Sequence, residues 1–196
     1  MSDFNFNFNN DGEQRAFDVV PDNTLCTVQM TIRPGGAGLD GWLTRAKDGQ
    51  SSHLNCEFVV VDGSHAKRKF WTRLTVEGEN HAEAVERSRE TLRAMLESAR
   101  GIRPDDKSAE AQAARSPKSW ADFDGLRFVV RIGVEPPKNG YDAKNVIKKV
   151  ITPDRQEWTK PEQIERDLLN KPASNNAAPP AAAPANAIAR PNWAQK

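Results

Sequence analysis

The sequence predicts a mainly β domain with one long helix among its strands, and three observations predict it. Five runs alternate apolar and polar residues with the period of two that a pleated strand imposes. One stretch, residues 80–100, switches to helical spacing. Gly, Pro, Asp-Gly and Asn-Gly signals fall between the runs, where turns belong.

At 196 residues the chain is long enough for one domain with extensions. Its net charge is +1, so no global basic field announces a polyanionic partner, and any such binding falls to a local patch. Cys26 and Cys56, the two cysteines, each lie inside a strand-like run, where buried free thiols are common in a reducing compartment. His53, Cys56 and His65 match no zinc spacing, so neither metal nor cofactor is expected. The opening MSDFNFNFNN has no cationic or apolar region of a signal peptide. No run approaches the roughly 20 apolar residues of a membrane span. A soluble cytoplasmic protein is expected.

Residues 1–22 read as an arm in which Phe4, Phe6 and Phe8 alternate with Asn. It suits a short edge strand, or an arm that docks on the core or on a second subunit. The first strand is Leu25–Arg33, with Cys26, Val28, Met30 and Ile32 on one face and Pro34 as its stop. A long loop follows, with four glycines between Gly35 and Gly41. It lacks the Gly-Lys-Ser/Thr of a phosphate-gripping loop. The glycines are read as mobility, suited to closing over an extended ligand. Trp42, Arg45 and Lys47 add a ring and two cations there, although Trp42 alone reads more simply as a plug packed on the core.

The second strand, His53–Val61, turns Leu54, Cys56, Phe58 and Val60 to one side, and Asp62-Gly63 signals a turn. The third, Lys67–Val76, turns Phe70, Leu74 and Val76 inward and Lys67, Lys69, Trp71, Arg73 and Thr75 outward. In the helix, Asn80 is the expected cap, with Glu83 completing a capping box. Val85, Leu92, Met95, Leu96 and Ala99 make its apolar stripe. Gly101 stands where a left-handed terminator belongs, and Pro104 blocks continuation. Residues 105–122 are a polar insertion with a short helix around Ser108 to Arg115. The fourth strand is Leu126–Val134 and the fifth Lys144–Ile151, joined by a hairpin with Lys138, Asn139-Gly140 and Tyr141 at its tip. A short helix is expected over 159–170. The Ala/Pro/Asn-rich residues 171–196 cannot bury enough apolar surface to order and read as a disordered tail.

Three strands, a helix and two strands, with a long first loop and a tight last hairpin, is the order of the oligonucleotide-binding (OB) fold. That fold is a five-stranded Greek-key barrel with its helix between strands three and four, expected here over residues 23–158. Its ligand crosses strands two and three between the first and last loops.

Arg33-Pro34-Gly35-Gly36, Cys56-Glu57-Phe58, Lys67-Arg68-Lys69-Phe70-Trp71, Ala99-Arg100-Gly101, Asp124-Gly125 and Lys144-Asn145 stand out as a set within residues 10–158. Together they resemble a family of phage and prophage proteins long known only as a domain of unknown function. That family is similar in layout to phage single-stranded-DNA-binding proteins, whose genes lie near recombination and replication genes. The resemblance implies single-stranded DNA binding in phage or prophage replication or recombination, in the cytoplasm of a bacterial host. It places Lys67 to Arg73 on the nucleic-acid face and implies a phage recombinase or nuclease as a further partner. One departure matters. Many such proteins end in an acidic tip that recruits partners, whereas this chain ends Arg190-Pro191-Asn192-Trp193-Ala194-Gln195-Lys196.

The leading expectation is therefore sequence-independent binding of single-stranded DNA. Trp71 stacks on a base while Lys67, Lys69 and Arg73 meet phosphates. Trp42 and Tyr141 are further rings, and Arg45, Lys47 and Lys138 further cations. The bland reading of the third strand is a solvated face with a half-buried Trp. The alternative function is a protein-interaction module, a recombination accessory using the same barrel without DNA, which the near-neutral charge favours. Catalysis is not expected: no nucleophile elbow or His-Glu helix pair is present, and Asp40, Asp62, Asp122 and Asp124 sit where turns use Asp. The oligomeric state is not readable from the sequence, and the Phe-rich arm and Trp193 are candidate contact points for a homo-oligomer. Base stacking is indifferent to the sugar, so nothing separates DNA from RNA.

Overall fold

The computed structural model describes residues 19–138 and 140–161. The arm through residue 18, nearly all of the helix expected over 159–170, and the tail 171–196 lie outside the described residues.

The strands are β1 (Leu25–Arg33), β2 (Thr44–Arg45), β3 (Ser52–Val60), β4 (Lys69–Glu77), β5 (Arg127–Glu135) and β6 (Lys144–Val150). They form one antiparallel sheet. Two α-helices, α1 (Ala82–Arg100) and α2 (Ala109–Ala114), lie between β4 and β5 in the chain. β1 is central, pairing with β3 on one side and with β5 on the other. β4 adds to the free edge of β3, and β6 to that of β5. The two-residue β2 pairs with the start of β3, Thr44 opposite His53.

β4 and β6 come into contact, but no ladder joins them. The closed five-stranded barrel expected from element order is thus corrected in two respects: the described residues form six strands, and the sheet stays open along one seam. Arg73, Glu135 and Lys144 line that seam, and stripping water from such charges to seal it would cost more than the added hydrogen bonds return.

The core follows from the alternation. Val28, Met30, Leu54, Phe58, Phe128, Val130 and Ile132 are almost wholly buried. Phe58 stacks on Phe70 with ring centres 5.2 Å apart and meets Phe128 edge-on at 6.1 Å. Burying one such ring contributes about 1.5–3 kcal/mol. Leu92, Met95 and Leu96 carry α1 into the same cluster. Gly101 ends α1 as anticipated, with φ of 70° and its N–H donated to the Glu97 carbonyl.

The helix start differs from the sequence reading. A 3-10 turn, Glu79–His81, precedes α1, and His81 occupies the N-cap position without a side-chain cap bond. Asn80 instead donates its side-chain amide to Gln50 Oε1 at 3.2 Å, and Glu83 pairs with Arg87 one turn on. A tertiary contact has taken the side chain that the local pattern assigned to a capping box.

The loop between β1 and β3 also departs from expectation, because its glycines serve geometry. A Cβ on Gly35 would stand 2.0 Å from Thr44 Oγ1 and 2.6 Å from Thr44 Cα. Only a residue without a side chain lets the loop return so close to β2. Ala37 and Leu43 exchange backbone hydrogen bonds within it, and Leu43 is buried.

Both ends of the described residues are held down, one to the sheet and one to α1. Val20 is buried, and its N–H and C=O both pair with the Asn145 side chain. Trp158 donates its indole N–H to the Ser98 carbonyl of α1. Among the described residues, no helix is long and apolar enough to cross a membrane.

Candidate functional site

β3 and β4 set the register of the site. Asn55 lies opposite Arg73, and Glu57 opposite Trp71. Alternation buries Phe70 and Leu74 and leaves Lys69, Trp71 and Arg73 exposed, with Trp71 at 56%. An indole that open has left apolar area in water, which is unusual for so large a ring.

Its polar edge is not free. Trp71 Nε1–H donates to Glu57 Oε2 at 3.1 Å. Lys69 Nζ lies 2.7 Å from Glu57 Oε1, and the Arg33 guanidinium pairs with Oε2. The Glu57 side chain is 8% exposed, held by three donors from two neighbouring strands. Lys69 first, then Arg33, with help from Trp71, holds its carboxyl down at about 2.

Arg73 is placed differently. It makes no ion pair among the described residues, and it lines three adjoining grooves. The first, about 540 Å³, lies along the seam and includes Trp71, Asn55 and Lys144. The second, about 470 Å³, runs to Lys138 and Tyr141 at the β5–β6 hairpin. The third, about 640 Å³, runs the other way to Arg45, Lys47 and His53. Asn55 Nδ2–H donates to Thr44 Oγ1 at 2.8 Å and so ties the β2 segment, with its two cations, to the edge of the groove. At the far tip, Lys138 and Tyr141 exchange two backbone hydrogen bonds that close the turn. Lys144 is paired with Glu135 at 3.0 Å, leaving Arg73, Arg45, Lys47 and Lys138 as cations along this path without an ion pair among the described residues.

Of the residues singled out from sequence, Trp71, Arg73, Arg45, Lys47, Lys138 and Tyr141 therefore meet along one surface. Lys69 borders it with its charge committed to Glu57. Lys67 is corrected: it lies before β4, not on it, with φ of 71° and its N–H donated to the Val60 carbonyl. Val60 N–H in turn reaches the Arg68 carbonyl, which makes Lys67 the extra residue of a bulge where glycine is usual. Trp42 is half-buried and packs against the core, as its plug reading has it.

Sequence reasoning missed Arg33, Asn55 and Glu57 as members of this surface. The stretch from Gly63 to Val76 contains no acid, yet the neighbouring strand supplies one. Only the cross-strand register reveals it.

Among the described residues, no cluster of His, Cys, Asp and Glu is placed to hold a metal ion. Burial pushes the Cys26 and Cys56 thiols up to about 12, far from a reactive thiolate. Asp62 and Asp124 accept backbone N–H groups of Thr27 and Ile32, so both are engaged in closing strand ends. No family model matches the chain, and no curated protein matches it as a relative.

Proposed function

We propose that this protein binds single-stranded DNA without sequence preference, across β3 and β4, in phage or prophage replication or recombination. In this reading the sheet is an OB-type barrel left open between β4 and β6. The pairings β1–β3, β3–β4, β1–β5 and β5–β6, with α1 between β4 and β5, follow the order of that fold, β2 being a short addition. One observation carries the proposal. Arg73 stands beside an outward Trp71 where three adjoining grooves meet, with cations toward both ends that make no ion pair among the described residues. A flexible strand needs this combination of a stacking ring and flanking charges, and a rigid duplex, whose bases are already stacked, gains little from an outward ring. The phage resemblance of the sequence motifs points the same way.

The partial cancellation of charge by Glu57 favours a second reading, a protein-interaction module on the same surface. A fluorescence titration of the full chain with oligo(dT) and with duplex, at two salt concentrations, separates the two. Saturable, salt-sensitive binding of oligo(dT) supports the first reading. No binding of either probe at low salt refutes it and leaves the second.

A further inference from the structure

Glu57 is the group the proposed function does not explain, since a carboxylate at the centre of a phosphate-binding face opposes binding. Its position is nonetheless built: three donors converge on it, and its side chain is almost wholly buried among them. Resting on the reading above, we infer that Glu57 is the specificity-determining residue of the groove, selecting polynucleotides with exposed bases over duplex and other polyanions.

Two effects combine. The hydrogen bond from Trp71 Nε1 fixes the indole by its edge, so the ring is set in place before a base arrives, and less side-chain freedom is lost on stacking. Glu57 also occupies the nearest donors of Lys69 and Arg33, one acid against two bases. A phosphate reaching the centre of the face must compete with a carboxylate already seated there. An uncharged planar base meets no such competition. Phosphates are therefore directed to the cations that carry no ion pair among the described residues, Arg73 in the middle, Arg45 and Lys47 at one end and Lys138 at the other. A single strand can turn its bases inward and its phosphates out along that path. A duplex presents only phosphates and is refused at the centre. Glu57 is a positioning residue here and touches the ligand only through its partners.

The test compares affinities of the full chain for an oligo(dT) of about 16 nucleotides and for a duplex of the same length. In Glu57→Gln, Lys69 and Arg33 are released, and duplex affinity is expected to rise about tenfold while oligo(dT) affinity changes much less. The duplex salt slope steepens by about 1–2, which loss of a merely structural contact does not produce. Glu57→Asp, which keeps the charge, should retain the wild-type preference. Lys69→Glu, with its fold checked by circular dichroism, tests the inference independently of the Glu57 variants: it is expected to weaken duplex binding more than oligo(dT) binding. An unchanged ratio of the two affinities in folded Glu57→Gln, or equal losses in Lys69→Glu, overturns the inference while wild-type binding of oligo(dT) leaves the proposed function standing. Failure of the wild type to bind oligo(dT) removes both.

Discussion

Glu57 and Trp71 face each other across β3 and β4, and the carboxylate accepts the indole N–H at 3.1 Å. This pair turns what looks like a simple basic-aromatic strand into a face with an ordered ring and a partly neutralised centre, with cations toward its ends that make no ion pair among the described residues.

Replacing Trp71 by Ala is expected to cost about 1–3 kcal/mol in binding oligo(dT), the worth of one base stack. Because the ring is more than half exposed, the melting temperature should hardly move. Fluorescence anisotropy with a labelled oligonucleotide and a thermal melt check both. A lower melting temperature with unchanged affinity makes Trp71 a packing residue.

Arg73 and Lys67 should behave oppositely. Arg73→Gln removes a cation that makes no ion pair among the described residues and is expected to flatten the salt slope for single-stranded DNA by about 0.7. Lys67→Gln, altering a side chain at the bulge that precedes β4, should leave that slope unchanged. Equal effects contradict the path assigned to the phosphates.

Much of this was legible before any coordinates. β1 has the bounds that its alternation and Pro34 dictate, and Gly101 ends α1 where a left-handed residue was needed. Period-two and helical patterns are local, so a single strand or helix declares them. What stayed hidden is relational. Glu57 joins the site through a hairpin register shaped by the bulge at Lys67, and nothing in the residue sequence gives that offset. The capping box failed because Gln50, some thirty residues upstream, binds Asn80. Gly35 looked like flexibility until its distance from Thr44 was known.

The Glu57 carboxyl gives a pH prediction with a definite sign. Its pKa in the folded protein is about 2, below the ordinary 4.5, so the unfolded chain binds its proton more readily than the folded one. The contribution is complete above the ordinary carboxylate range and fades as pH falls toward about 2. Carbon-13 NMR should show the Glu57 carboxyl titrating well below the ordinary carboxylate range. Acid unfolding of Glu57→Gln should respond less to pH across that window than the wild type does.

Gly35→Ala tests the loop that carries Arg45 and Lys47. With a Cβ 2.6 Å from the Thr44 backbone, either the loop or β2 must shift, at about 1–3 kcal/mol, the usual cost of overpacking. Chemical denaturation measures the loss. Single-strand affinity should fall too, since the shift draws two cations away from the Arg73 groove.

The most direct measurement follows the indole N–H resonances of the five tryptophans by NMR as oligo(dT) is added to the full chain. The Trp71 resonance should shift saturably, together with the Arg73 side-chain N–H, while that of Trp158, bonded to the Ser98 carbonyl at the end of α1, stays in place. Binding that leaves the Trp71 and Arg73 resonances unmoved, or the absence of any binding, contradicts the account.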